Sequence, residues 1–306
     1  MNSSIVVPTE SWFIPFDIFR IICNSLSIIF SIFFLIIIIV DKGCHTVPMM
    51  LVANSCLAAF LAGCCLFSYS VFTLHNDLKQ IDYQDSFCII RTYFKYAVYT
   101  SFNYSFVLQS LYRYVIVIYP QRLVFQSFKF QDSLILIPWI INFIFPFPFL
   151  LLNSITYDVN NQICMVPFRL SFSLIYLTLG MYMIPVFLTK FIYFKLIQYV
   201  RGMNKRVTAS NTVSRAQREL KMVQRTVILV TILLVLGLAM VVFIIMSFFT
   251  PPPKYYFRIG FICADFSLTL VLIVLYKFTD PLKASVWKRI NPRKNRVVTI
   301  TAMRTK

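Results

Sequence analysis

Continuous apolar runs limit what this chain can become. Residues 30–40 read FSIFFLIIIIV, and segments of the same kind cover about 13–40, 47–72, 88–120, 132–152, 170–200, 222–249 and 256–279. Each is near or above the ~20 residues that carry an α-helix across a hydrocarbon core of about 30 Å. A helix satisfies its backbone hydrogen bonds internally, as a water-free environment demands. A membrane β-barrel would alternate polar and apolar residues over strands of about ten residues, and these runs do not alternate. The expectation is an all-α membrane protein, a bundle of seven transmembrane helices over 13–279, with a short N-terminal segment (1–12) before it and a tail (280–306) after it. With 59% apolar residues and a mean hydropathy of +0.76, no soluble domain of useful size is left over.

The opening MNSSIVVPTESW lacks the basic start and small-residue cleavage site of a removable signal, so the first span is expected to stay. Asn2-Ser3-Ser4 matches a glycosylation acceptor. Lysine and arginine are retained on the cytoplasmic side of a membrane. They crowd the fifth-to-sixth connection (Arg201, Lys205, Arg206, Arg215, Arg218, Lys221, Arg225) and the tail (Lys283, Lys288, Arg289, Arg293, Lys294, Arg296, Arg304, Lys306). The opposite loops carry Asp77, Asp82, Asp85 and Asp158. The tail is therefore expected inside and the N-terminus outside, in a multi-pass protein of the plasma membrane. The net charge of +18 lies mostly beside span ends, where anionic lipid attracts it, so membrane lipids rather than nucleic acid are the expected partner.

Of eight cysteines, Cys23, Cys56, Cys64, Cys65 and Cys263 lie in apolar spans and Cys44 in a short inner turn. Cys88 and Cys164 remain, both on the outer, oxidising side where a disulfide persists. A bridge between them would pin the loop after the fourth span over the bundle mouth. Nothing in the sequence has the spacing of a zinc site, a phosphate-cradling glycine loop or a nucleophile elbow, and His45 and His75 are placed in loops. No metal, cofactor or enzymatic activity is expected.

The third span, from Cys88 to the string LYRY at 111–114, crosses the membrane with a cysteine at one end and Arg113 at the other. With Trp139 in the fourth span, Pro185 and Tyr193 in the fifth, and Tyr276 followed by KFTDPLK, the chain resembles a rhodopsin-like (class A) G-protein-coupled receptor from residue 13 to about 290. Arg113-Tyr114 matches the end of that family's Asp/Glu-Arg-Tyr motif, with Tyr112 in the acidic place. The resemblance implies that Arg113 and Tyr114 serve a heterotrimeric G protein, with Tyr193 and Tyr276 as active-state neighbours of Arg113. Several positions depart from the family pattern. Ala59 stands where a sodium-binding aspartate is expected and Ser31 where an asparagine is. Gly237-Leu238-Ala239 replaces Trp-x-Pro, and Leu272-Ile273 replaces Asn-Pro. These changes imply an apolar bundle centre without a sodium site, and make Gly237 the candidate hinge of the sixth span. An opsin's retinal-bearing lysine would fall at or next to Phe266, where no lysine stands.

Charges inside spans mark functional positions. Lys95 and Arg113 are eighteen residues apart, five helical turns, so both point the same way, and Arg91 lies one turn from Lys95. Asp265 of the seventh span is the available counter-charge. The expectation is that Lys95 and Asp265 pair across an outer cavity also lined by Tyr99, either as a structural lock between two helices or as a site where an anionic ligand or a peptide carboxylate competes for Arg91 and Lys95 and releases Asp265. Tyr176, Tyr182, Tyr255 and Tyr256 are further candidates for the lining. After Asp280-Pro281, Leu282, Val286 and Ile290 oppose Lys283, Lys288 and Arg289 in a short interfacial helix.

Signal transduction, with an extracellular ligand above and a G protein below, is the function these features imply. A non-signalling decoy or partner receptor is the alternative that the altered switch positions favour. A transporter or channel fits less well, because neither an internal repeat nor a chain of ionisable groups through the midplane is found.

Overall fold

Every one of these segments is helical in the computed structural model, which describes residues 12–80, 86–169, 171–205, 210–246, 249–250 and 253–290. In chain order the elements are α1 (Phe13–Val40), α2 (Val47–Lys79), α3 (Cys88–Ile118), α4 (Phe128–Ile144), α5 (Phe147–Leu151), β1 (Thr156–Asp158), β2 (Ile163–Met165), α6 (Phe172–Thr178), α7 (Ile184–Lys205), α8 (Ser210–Met246), α9 (Tyr256–Phe278) and α10 (Asp280–Ile290). The fourth span is α4 with α5, and the fifth is α6 and α7 joined by a π turn at Leu179–Met183. Expectations for Asn2, Asp82, Asp85, Arg206, Pro251, Pro252 and the tail beyond Ile290 lie outside the described residues.

Length and apolar composition alone qualify α1, α2, α4 with α5, α6 with α7, and α9 as membrane-crossing. α8 completes the bundle beside α9, and α3 runs through its middle with most of its residues from Lys95 to Ser110 buried. That is why α3 can carry Arg91, Lys95, Gln109 and Arg113: its polar groups face protein instead of lipid. On α4 the opposite holds, and Leu136, Ile137, Ile140, Ile141 and Ile144 are each more than half exposed, as a lipid-facing stripe requires.

Prolines break the helices where the sequence places them. The fourth span is interrupted between Ile144 and Phe147, at Pro146. In the fifth, Pro185 has no N–H to offer the carbonyl of Met181 four residues back. The side chain of Asn103 on α3 donates to that carbonyl instead, at 2.8 Å. The π turn that precedes Pro185 is thus tied to the central helix, the kind of re-satisfaction that lets a membrane helix contain proline.

At the end of the bundle that holds Cys88, β1 and β2 form an antiparallel hairpin with Tyr157 opposite Cys164. The expected Cys88–Cys164 disulfide is present. Thr92 donates to the Cys164 carbonyl at 2.7 Å and accepts from the Tyr69 hydroxyl, while the Val166 N–H donates to the Tyr96 hydroxyl at 3.2 Å. Ile163, Cys164 and Val166 are fully buried, so this hairpin is packed into the bundle and not laid on it.

One boundary and the character of the bundle centre differ from the sequence reading. α2 continues to Lys79, so His75 and Asp77 are helical and Asp77 is buried instead of lying in a loop. The bundle centre is also less apolar than the altered motifs implied. Gln109 donates to Ser55, which donates to Ser105, each at 2.7 Å, and Ser27 bonds Thr269 at 2.8 Å. Hydroxyls and an amide small enough to satisfy one another replace the larger polar groups.

α10 forms as expected, with Leu282 and Val286 buried and Trp287 63% exposed beside Lys288 and Arg289. It is held to the turn after α1, where Cys44 and Ser285 are 3.2 Å apart. The Asp41 carboxyl in that turn is kept below its usual range by a hydrogen bond from Ser285 and another from the Gly43 N–H.

Removing the amide of Asn103 leaves the Met181 carbonyl without a donor in a dry environment. The Asn103→Val variant is expected to lose about 1–3 kcal/mol of stability, read as a lowered unfolding temperature in detergent.

Candidate functional site

Five charged side chains are buried together near the disulfide end, between α1, α2 and α9. Arg20 donates through Nε to Asp265 at 2.7 Å and through Nη1 to Asp17 at 3.0 Å. Arg258 grips Asp77 with both terminal nitrogens, at 2.5 and 2.9 Å, and reaches Asp17 at 3.4 Å. None of the five is more than 3% exposed. Charges taken this far from water persist only when paired, and here planar guanidinium forks match carboxylates on neighbouring helices.

This network overturns the expected pairing of Lys95 with Asp265. Asp265 pairs through Oδ2 with Arg20 of α1 instead of with Lys95 of α3. The ammonium of Lys95 has no hydrogen-bond partner although the residue is 5% exposed. It lies among aromatic rings instead, 4.9 Å from those of Tyr69 and Tyr96 and 4.8 Å from that of Phe261. Ring faces offset part of the cost of burying a cation, roughly 0.5–2 kcal/mol each. The Phe261 ring is shared with Arg20, whose guanidinium is 5.3 Å from its centre, and the Tyr69 ring with Arg91, at 5.6 Å.

Lys95 and Tyr99 line a small cavity of about 50 Å³ with Met181, Tyr182, Met240 and Phe261. A second, of about 70 Å³, adjoins it and extends between the fifth and sixth spans to Gly237 and Ile244. Of the other tyrosines considered, Tyr176 stacks on Phe145, Tyr255 meets Phe13, and Tyr256 packs on Phe168.

The other end of α3 opens into a larger cavity of about 330 Å³, lined by Gln109, Arg113, Arg225, Thr226 and Asp280 among others. Arg113 is half-buried and turned to this space. Tyr112 points elsewhere, into an apolar cluster with Val47, Leu51 and Ile116. Tyr114 and Tyr193 share a third cluster, with Leu196 and Val223. Tyr276 stacks on Phe34 of α1 at 5.6 Å and does not line the cavity. The structure therefore places Tyr193 and Tyr276 away from the Arg113 cavity, in packing positions, because each ring finds an apolar neighbour on an adjacent helix.

Arg225 at the inner end of α8 donates to the Phe278 carbonyl at 2.8 Å and to Asp280 at 3.0 Å, while Lys283 bonds Asp280 at 2.9 Å. These contacts bridge the sixth span and α10 across the rim of the cavity. Lys283 first, then Arg225, holds the Asp280 carboxyl below its usual range.

The profile described as 7 transmembrane receptor (rhodopsin family) matches residues 31–282. This chain belongs to that family. The receptor is also similar in fold to squid rhodopsin, with a TM-score of 0.75 at 15% identity over 98% of this chain and 93% of that one. At that identity the likeness speaks for the fold. A direct comparison with curated proteins finds no match. The family is one of receptors that work with a ligand and a G protein, and is not an enzyme family.

Sequence reasoning missed Asp17, Arg20 and Arg258. The signal was present: Asp17 and Arg20 stand three residues apart inside an otherwise apolar span, the spacing of an intrahelical ion pair. Asp77 was missed because the second span was ended too early.

Removing Arg20 alone strands Asp265, so Arg20→Met is expected to cost about 3–5 kcal/mol and to lower surface expression sharply. Arg20→Met with Asp265→Asn is expected to recover most of it, whereas Lys95→Met leaves expression intact. The Asp280 contacts have the opposite pH logic to a histidine switch. A carboxyl with a lowered folded pKa stabilises above its unfolded value, about 4, and loses that contribution as pH falls through the folded value. Spin-label distances between α8 and α10 should hold from pH 7 to 5 and lengthen below about 4.

Proposed function

We propose that this receptor admits an extracellular ligand with an anionic group to the cavity lined by Lys95, Tyr99 and Tyr182, and relays its binding to a heterotrimeric G protein at the Arg113 cavity. The observation that carries the reading is that one helix, α3, places a cation without a hydrogen-bond partner at the first cavity and a half-buried arginine at the second. Arg91 flanks the shared Tyr69 ring and would draw the anion inwards, while Asp265 stays bound to Arg20 and positions α9.

The basic residues of the fifth-to-sixth connection and tail support a plasma-membrane protein with the Arg113 end in the cytosol and the N-terminus outside. α10, with exposed Trp287, Lys288 and Arg289, would rest on anionic lipid at that face. Tyr114 and Tyr193, packed in one apolar cluster with Leu196 and Val223, would rearrange as α8 moves, with Gly237 as the point of least resistance to bending. The burial of Tyr112 in an apolar cluster favours one second reading, a partner receptor that binds ligand without engaging a G protein.

Nucleotide exchange on a panel of purified G proteins separates the two. Ligand-free or ligand-stimulated exchange that falls at least tenfold in Arg113→Ala, with surface expression unchanged, is the expected result. No exchange on any G protein, with ligand binding intact, would select the second reading.

A further inference from the structure

The geometry points to a membrane-borne ligand for the Lys95 cavity: a hydrocarbon chain ending in a carboxylate, entering sideways between the fifth and sixth spans. This rests on the anionic-ligand reading of that cavity and names the ligand class and its route.

The β1–β2 hairpin is packed into the end of the bundle that holds Cys88. The β1–β2 hairpin is fastened to α3 by the Cys88–Cys164 disulfide and by the hydrogen bonds of Thr92 and Tyr96. It is fastened to α9 as well, where Asn161 accepts from the Arg258 N–H at 3.3 Å and Phe168 packs 4.8 Å from the Phe257 ring. Met165 of this hairpin lines both outer cavities and Phe168 lines the larger. A water-borne peptide would have to displace a covalently anchored, fully buried strand.

A side route exists. The two outer cavities share Tyr96, Met165, Met181, Tyr182 and Met240, so only these side chains part the Lys95 ammonium from the space between the π turn and α8. There the lining ends at Met183, which is 38% exposed on the outer surface of the fifth span, and at Gly237. A side chain at Gly237 would begin in ordinary contact with the Tyr182 ring, at 3.9 Å from its Cβ, so added bulk there would project into this lining.

The lining fits one kind of molecule. Among the described residues it has a single charge, that of Lys95, and beyond it methionine, leucine and aromatic carbon as far as Met183 and Gly237. A water-soluble anion would leave the apolar stretch unfilled, and a neutral lipid would leave Lys95 without a counter-charge. At about 50 and 70 Å³ the spaces are too small for a chain as they stand. Four of the lining residues, Met165, Met181, Met183 and Met240, are of the unbranched, polarisable type that re-packs around a guest.

The test uses the full receptor in phosphatidylcholine nanodiscs, with dodecanoate, methyl dodecanoate, acetate and a short peptide carboxylate as probes, read by thermal unfolding and by association rate. Dodecanoate should raise the unfolding temperature while the ester and acetate do not. Lys95→Gln should weaken dodecanoate at least tenfold, Lys95→Arg should retain it, and Gly237→Leu should slow its association several-fold. Equal binding of dodecanoate and its ester, or association unchanged in Gly237→Leu, would overturn the inference. If the peptide carboxylate binds in a Lys95-dependent manner and dodecanoate does not, the ligand class and route fail while the anionic site stands. If no probe depends on Lys95, both fall together.

Discussion

The Arg20–Asp265 pair is the contact on which the rest of this receptor's chemistry depends. A carboxylate on a membrane helix has to find a cation, and two are within reach of Asp265, one on α1 and one on α3. Arg20 holds it at 2.7 Å with full burial of both side chains. Because a guanidinium presents several donors in a plane, Arg20 bonds Asp17 at the same time, and a chain of charges joins α1 to α2 and α9 through Arg258 and Asp77. Lysine, a point charge on a flexible stem, would satisfy one carboxylate only. The outcome is that Lys95 is left to aromatic rings and to the cavity.

That division of labour separates what must be rigid from what must respond. α1, α2 and α9 are fixed to one another by buried ion pairs that carry a heavy penalty if broken. α3 is fixed by the disulfide and by its central burial. The fifth and sixth spans are attached by softer means: the Asn103 bond to the π turn, methionine and tyrosine contacts, and the Arg225 contacts at the far rim. A ligand wedged between those two spans acts where the bundle resists least. Its displacement would be felt at the Arg113 cavity, because α8 lines both spaces through Gly237 and Ile244 at one end and Arg225 and Thr226 at the other.

How far the sequence could be read follows from the physics of each feature. Helices were legible because a bilayer admits only one local answer to a long apolar run, and the disulfide was legible because Cys88 and Cys164 are the two cysteines that remain once those in apolar spans and in the turn after the first span are set aside. Proline breaks at Pro146 and Pro185 were legible for the same local reason. The identity of Asp265's partner was not, since Arg20 and Lys95 are both cations and only the rotation of α1 about its axis decides between them. Nor was the destination of Tyr193 and Tyr276, whose rings had several apolar neighbours to choose from.

What the sequence determined alone, then, is the order of the long apolar helices, the place of the hairpin's anchor and the presence of cations at both ends of α3. These follow from hydropathy, spacing and residue chemistry along one dimension. Which charge meets which, which tyrosines line a cavity, and that a cavity lies between the fifth and sixth spans were decided by tertiary structure. Such facts depend on how helices are rotated and tilted against one another, and that is set by the sum of many weak packing contacts that no single stretch of chain contains.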